Sequence, residues 1–119
     1  MIRKIARLSF TIAVLAVTWL SLSPRDALPE IHMWDKPQHL IAYAVLAMCG
    51  AVGFLGRRPR LIVGVGLIVL GCVLEVAQAA VPGRDPSIAD AVANIAGIAL
   101  GLATVWIGDR LVGASEGST

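Results

Sequence analysis

The chain has 119 residues, of which 57% are hydrophobic and 15% are charged; its net charge is +2 and its mean hydropathy is +0.80. A soluble domain of this length could not bury so much apolar surface, because small folds leave a large share of their area exposed. The composition therefore predicts an integral membrane protein, a single domain over residues 1–119, and the few short basic clusters give no indication of nucleic-acid binding.

Four apolar runs predict an all-α bundle of four transmembrane helices, at about residues 8–23, 37–55, 61–81 and 87–107. The first run is short and follows a basic start, so a cleaved signal peptide is the competing interpretation. Pro24 directly follows the candidate cleavage residues Ser21 and Ser23 and disfavours cleavage, so we expect the helix to be retained. The polar stretch after residue 107 is expected to be a frayed tail.

Three connections separate the runs, and their charges predict the orientation in the membrane. A polar segment spans 24–36, a basic turn spans 56–60, and a turn with two prolines and a glycine spans 82–86. Lys and Arg are concentrated at the two chain ends and in the 56–60 turn. The positive-inside rule therefore places both termini in the cytoplasm and the 24–36 and 82–86 loops outside.

Polar residues recur on one face of three helices, near the predicted outer ends. Spacings of three and four residues place side chains on the same face of a helix. The residues so placed are Asp35, His39 and Tyr43 in the second helix, Glu75 and Gln78 in the third, and Asp90 and Asn94 in the fourth. Small residues continue the faces inward, and Gly97-x-x-x-Gly101 is a helix-packing pattern. The sequence thus predicts a bundle whose outer third encloses a polar pocket.

Glu75 is the residue that most needs an explanation. It precedes Pro82 by about two turns, which puts it roughly 10 Å below the outer end of its helix. A lone carboxylate at that depth costs on the order of 3 kcal/mol. We therefore expect it to be protonated, paired or open to water, with Arg84, Lys36 and His39 as available partners. The hydroxyl of Tyr43 could also donate to it.

Structural interpretations stay open for several of these residues. Asp35, Asp85 and Ser87 are each placed to cap a helix, and Ser87-x-x-Asp90 matches the capping box. His39 could be a satisfied residue between helices. Arg84 could anchor the chain at the lipid head groups.

The pattern resembles the VanZ-like family, small bacterial membrane proteins associated with resistance to teicoplanin, a glycopeptide antibiotic. The matching pieces, in family order, are Leu20-Ser21-Leu22-Ser23-Pro24, Asp35-Lys36-x-x-His39-x-x-x-Tyr43, Glu75-x-x-Gln78, Gly83-Arg84, Ser87-x-x-Asp90 and Asn94-x-x-Gly97-x-x-x-Gly101. The resemblance covers roughly residues 20 to 101. It implies a multi-pass protein of the bacterial cytoplasmic membrane with a role in the cell envelope.

The leading functional hypothesis is a pocket that binds or acts on an anionic envelope ligand, such as a lipid-linked cell-wall precursor. Arg84 and Lys36 suit its phosphate groups, and His39 and Glu75 could act as an acid–base pair. The other expected ligand-binding residues are Asp35, Tyr43, Gln78, Asp90 and Asn94. Whether the protein is an enzyme stays open, because no nucleophile stands out.

Two other hypotheses remain. In the first, the chain is a structural or accessory membrane subunit, and its polar residues only hold helices together. In the second, Asp35, His39, Glu75 and Asp90 hold a divalent metal ion, since oxygen and imidazole ligands in that number suffice. A single histidine among carboxylates is not diagnostic, so the sequence-based prediction includes no metal and no cofactor. The sequence does not give the oligomeric state.

Overall fold

The structure, a computed structural model, describes residues 1–27 and 35–117; the side chains of residues 27, 35 and 36 lie outside the described part. Within these ranges the chain forms four α-helices and one turn of 3-10 helix at Arg25–Ala27, with no strand. The helices are α1 (Ile2–Leu22), α2 (Asp35–Gly53), α3 (Arg57–Gln78) and α4 (Ile88–Gly117). The predicted all-α bundle of four helices is confirmed.

Three of the four helices are long and apolar enough to cross a membrane. By length and composition these are α1, α3 and α4, with mean hydropathies of 1.8, 2.3 and 1.8 over their most apolar windows. The apolar part of α2, Pro37–Gly53, is shorter. α2 instead lies inside the bundle, where it packs most extensively against α4 and also contacts α1 and α3. Its neighbours therefore shield much of α2 from lipid.

Neighbouring helices alternate in direction, apart from the central pair. Gly97 of α4 lies against Leu40 of α2, and Gly101 lies one turn further along against Ala44, so α2 and α4 run parallel. α1 and α3 run the opposite way. One end of the bundle therefore holds the starts of α2 and α4, and we name it the Arg84 end. The opposite end, which holds the starts of α1 and α3, is the Arg60 end.

The core of the bundle is centred on α2, which supplies Tyr43, Leu46 and Ala47. Leu67 of α3 and Ile98 of α4 complete the buried apolar cluster. α1, in contrast, has no buried residue at all. Large apolar side chains cover the outside of the bundle, including Trp19 at 67% exposure and Ile62 at 72%. An apolar exterior around a narrow core is the pattern of a helical bundle solvated by lipid.

The helix limits differ from the apolar runs at several points. α1 begins at Ile2 and not at about residue 8, because Arg3 and Lys4 are good helix formers and extend it beyond the apolar run. α4 continues to Gly117 and not to about residue 107, so the expected frayed tail after 107 is wrong up to that residue. At 30 residues, α4 is about 45 Å long, which exceeds the roughly 30 Å of a hydrocarbon core.

The third helix is shifted toward the N-terminus relative to the predicted run at 61–81. It begins at Arg57 after Gly56, whose φ of 107° ends the preceding helical path. Pro59 lies in its first turn, where no backbone N–H is needed for a helical bond. It ends at Gln78, because the ring of Pro82 would clash with the carbonyl group of residue 78 in a continued helix.

Candidate functional site

Three helices bring four polar side chains together at the Arg84 end. His39 lies near the start of α2, Glu75 lies near the end of α3, and Asp90 and Asn94 lie in the first two turns of α4. We name these four residues the polar cluster. Glu75, Asp90 and Asn94 are 9%, 8% and 3% exposed, so the cluster is buried between helices. These four residues lie on the helix faces from which the sequence predicted a polar pocket at this end.

His39 joins α2 to α4 through Asn94. Its Nδ1 lies 2.9 Å from Oδ1 of Asn94. Because that oxygen can only accept, Nδ1 donates, and the neutral ring then carries its lone pair on Nε2. Nδ1 also lies 3.9 Å from Oε1 of Glu75, which is within ion-pair range for a protonated ring but too long for a hydrogen bond. His39 is therefore oriented by Asn94 and not by Glu75.

The carboxylate of Glu75 is only partly satisfied. Its Oε2 is buried and has no hydrogen-bond partner among the described residues. The imidazole of His39 and the carboxylate of Asp90 are its titratable neighbours. A buried polar group without a partner costs about 1–3 kcal/mol, and more when it is charged. An unpaired buried oxygen in a native structure therefore points to a missing partner.

One atom each of His39, Glu75 and Asp90 lies within 4.8 Å of the other two. With both carboxylates ionised, these three groups carry a net negative charge whether or not the imidazole is protonated. Such a set accepts hydrogen bonds and attracts cations. It is a poor site for direct contact with a phosphate oxygen, because like charges repel.

Arg84 does not pair with Glu75, which corrects that part of its predicted role, while its role as a phosphate ligand stays a prediction. Its guanidinium donates to the backbone carbonyl of Ser23 at 3.1 Å and to that of Leu20. These carbonyls belong to the last turn and C-cap of α1, where no further helical N–H is available to satisfy them. The arginine therefore caps α1 and ties it to the turn between α3 and α4.

Tyr43 lies in the apolar core, and its predicted ligand-binding role stays a prediction. Its hydroxyl makes no hydrogen bond to Glu75 in the described part of the chain; the ring is 3% exposed and belongs to the apolar core. Gln78 is buried one turn beyond Glu75, at 5% exposure. The side chains of Asp35 and Lys36 lie outside the described part of the structure, so their predicted ligand roles stay predictions.

Ser87 caps α4, as the capping-box interpretation predicts. Its Oγ accepts the backbone N–H of Asp90 at 3.1 Å, while the carboxylate of Asp90 takes its place in the polar cluster. We expect Ser87→Ala to lower the free energy of unfolding by about 1 kcal/mol, the usual loss for a helix N-cap. Unfolding in mixed micelles would measure it. Ser9→Ala, at an exposed position inside α1, is the matched control and is expected to cost nothing; equal losses would contradict the cap.

Gly97 and Gly101 lie where α4 meets α2. A Cβ at Gly97 would overlap the carbonyl oxygen of Leu40, and one at Gly101 would overlap that of Ala44. The two helices thus approach until backbone touches backbone. This close approach brings Asn94 within hydrogen-bonding distance of His39 one turn away.

Two arginines at the Arg60 end have structural roles that the sequence-based reading missed. Nε of Arg7 donates to the carbonyl of Gly53 at 2.8 Å, and its guanidinium lies 5.0 Å from the ring centre of Phe54. Nε of Arg60 donates to the carbonyl of Ala51 at 2.9 Å, while its NH1 lies 2.6 Å from Oδ2 of Asp109. Both bind the last turn of α2. Basic residues near the end of a helix could have indicated such capping, but the same residues also fit the positive-inside rule.

A groove of about 550 Å³ runs between α1 and α3, away from the polar cluster. Its walls are apolar residues of the two helices together with Phe54, and none of the predicted site residues lines it. Comparisons of the chain with protein-family models, with curated proteins and with solved structures gave no match. The polar cluster is therefore the feature on which a functional conclusion rests.

Proposed function

We propose that this chain is a VanZ-like integral membrane protein of the bacterial cell envelope. In this proposal the polar cluster binds the head group of an anionic envelope ligand, such as a lipid-linked cell-wall precursor. The observation that carries the proposal is the buried Oε2 of Glu75, which has no hydrogen-bond partner in the described part of the chain although it lies beside His39 and Asp90. A ligand that donates a hydrogen bond there would remove a cost that residues 1–27 and 35–117, as described, do not offset.

The proposal includes a location and an orientation. The basic residues Arg57, Arg58 and Arg60 lie at one end of the bundle together with the N-terminal Arg3, Lys4 and Arg7. By the positive-inside rule this end faces the cytoplasm, with both chain termini, and the Arg84 end faces outward across the bacterial cytoplasmic membrane. The polar cluster then lies just inside the outer surface, at the level that the head group of an envelope lipid reaches.

The chemistry of the cluster favours recognition through the uncharged part of such a ligand. Carboxylates and a neutral imidazole accept hydrogen bonds from sugar hydroxyls and amide N–H groups, which head groups of lipid-linked precursors supply. The phosphates need a positive partner, and Arg84 already binds the carbonyls of α1. Lys36, in the first turn of α2, remains the predicted cation for them. Acid–base chemistry by His39 and Glu75 stays a prediction beyond binding.

A structural or accessory role is the second candidate, and one contact favours it. The bond between His39 and Asn94 joins α2 to α4 as interhelical polar contacts do in membrane bundles. A role limited to adhesion does not explain Glu75, however. Glutamine or leucine at that position would avoid an unpaired buried carboxylate oxygen.

The test compares the affinity of the purified protein with that of Glu75→Gln and His39→Ala in lipid nanodiscs. The probe is an isoprenoid pyrophosphate carrying a disaccharide, and its binding is followed by native mass spectrometry. We expect saturable binding by the unchanged protein and at least a tenfold loss in Glu75→Gln, about the effect of removing one charge-assisted hydrogen bond. Ser9→Ala, on the exposed side of α1, serves as the control.

Stability separates the two candidate functions. Under the binding proposal, Glu75→Gln unfolds at the same denaturant concentration as the unchanged protein or a higher one, because it removes an unpaired buried carboxylate oxygen. Under the structural candidate, the same change lowers stability and leaves any affinity as it was. Unchanged affinity in both Glu75→Gln and His39→Ala would rule out the binding proposal.

A further inference from the structure

We infer that the polar cluster is a binding site for one divalent transition-metal ion, held by His39, Glu75 and Asp90. The inference goes beyond the binding of an envelope ligand and does not depend on it. It differs from the sequence-based prediction, which included no metal. Two observations carry it: the spacing of the ligand atoms and the unpaired oxygen of Glu75.

The spacing of the three side chains suits a common ion. One imidazole nitrogen and one oxygen from each carboxylate lie within 4.8 Å of one another. Around an ion with bonds of about 2.0–2.2 Å, two ligands on opposite sides are at most about 4.4 Å apart. The separations in this structure therefore exceed that limit by no more than about 0.4 Å.

The buried carboxylates supply the electrostatic reason for an ion. Glu75 and Asp90 are 9% and 8% exposed, and Oε2 of Glu75 has no partner among the described residues. Two neighbouring carboxylates at this burial repel each other, and desolvation adds to the cost. A divalent cation would balance both charges and fill the unused coordination site on Glu75. A hydrogen-bonding ligand alone would leave the repulsion in place.

Asn94 fixes the His39 ring, as carbonyl oxygens beside metal-binding histidines usually do. Oδ1 of Asn94 accepts from Nδ1 of His39 at 2.9 Å, and the same Nδ1 lies 3.9 Å from Oε1 of Glu75. In the tautomer that this contact sets, Nε2 carries the lone pair, so the ring would turn toward the two acids when it binds the ion. The His39 side chain is 20% exposed, so the cluster is open to an ion arriving from the Arg84 end.

The ligand set selects the class of metal. One imidazole with two carboxylates suits Mn²⁺, Fe²⁺ or Zn²⁺ better than Mg²⁺ or Ca²⁺, which favour oxygen ligands alone. Three protein ligands would leave at least one coordination position for water or another ligand. If the proposed function holds as well, that position is where a hydroxyl or carbonyl oxygen of the head group would bind.

The test measures metal binding by the full chain in detergent, after treatment with EDTA and without any envelope ligand. Mn²⁺ is the main probe, because it is poorly held by thiols and so reports little from Cys49 and Cys72. Free Mn²⁺ is followed by electron paramagnetic resonance, and Zn²⁺ competition by elemental analysis. We expect about one ion per chain and at least a tenfold loss of affinity in both Glu75→Gln and Asp90→Asn.

Asp109→Asn is the matched control, because it removes a carboxylate at the Arg60 end and should bind Mn²⁺ as the unchanged protein does. Helix content and elution volume establish whether each variant is folded. If Glu75→Gln does not fold, the affinity of Asp90→Asn for Mn²⁺ decides the outcome. The inference is overturned if the unchanged protein binds neither ion stoichiometrically, or if the folded cluster variants bind as tightly as Asp109→Asn. Since no envelope ligand is present, that failure would leave the proposed function untouched.

Discussion

Replacing Gly97 by alanine is expected to lower the free energy of unfolding by about 3 kcal/mol, at the upper end of overpacking losses. The added Cβ would overlap the carbonyl oxygen of Leu40 and lie 3.1 Å from the backbone nitrogen of Ala44. Neither is a side chain that can rotate away. α4 must therefore move off α2, and the contact between His39 and Asn94 lengthens with it. Loss of stability and loss of the polar cluster should thus occur together.

A glycine of the same bundle with open surroundings provides the control. A Cβ at Gly66 of α3 would have no atom within 4 Å, so Gly66→Ala should cost nothing and can gain from the better helix propensity of alanine. Unfolding by sodium dodecyl sulfate in mixed micelles, followed by circular dichroism, compares the two variants. Similar midpoints for Gly97→Ala and Gly66→Ala would contradict the close packing of α4 on α2.

The helices could be predicted because their signals are local. Apolar runs and turn residues lie next to each other in sequence, and the spacing of Glu75 and Gln78 or of Asp90 and Asn94 fixes a shared face. The small residues at Gly97 and Gly101 gave the packing face in the same way. That these faces meet at one end of the bundle could be predicted because four consecutive helices alternate in direction.

Partners across the bundle could not be predicted in this way. A periodic pattern gives the face on which His39 lies, but it does not say that Asn94, and not Glu75, accepts its hydrogen bond. Hydropathy likewise underestimates the length of a helix that continues beyond its apolar run. α4 continues beyond residue 107 because Arg110 packs over Trp106, with its guanidinium carbon 4.7 Å from the ring centre, and because Asp109 contacts Arg60.

Arginine is the residue type whose role changed most between sequence and structure. Arg7, Arg60 and Arg84 each donate to a carbonyl in the last turn or C-cap of a helix to which they do not belong. These carbonyls have no helical donor, and unsatisfied backbone groups are especially costly near lipid. Cations at helix C-termini are further favoured by the helix dipole. The basic clusters therefore fasten the helix ends together, in addition to any effect on orientation.

Arg84→Gln is accordingly expected to lower the free energy of unfolding by about 2 kcal/mol, since bonds from a charged donor contribute about 1.5–3 kcal/mol and partial exposure reduces this. The loss should be localised: α1 has no buried residue, so amide exchange in its last turn, near Leu20 and Ser23, should rise first. Hydrogen–deuterium exchange of the protein in nanodiscs measures this. Arg57→Gln, at the exposed start of α3, is the matched control with no expected change.

The same variant separates a cap from a ligand-binding residue. If Arg84 held a phosphate of the envelope ligand, Arg84→Gln would keep the exchange pattern of α1 and lose affinity for the isoprenoid pyrophosphate probe. If it caps α1, the exchange pattern changes and Arg84→Lys restores protection only in part, because an ammonium cannot reach two carbonyls with a planar fork. If amide exchange at the end of α1 were unchanged in Arg84→Gln, the capping role would be contradicted and the predicted role in ligand binding would be favoured.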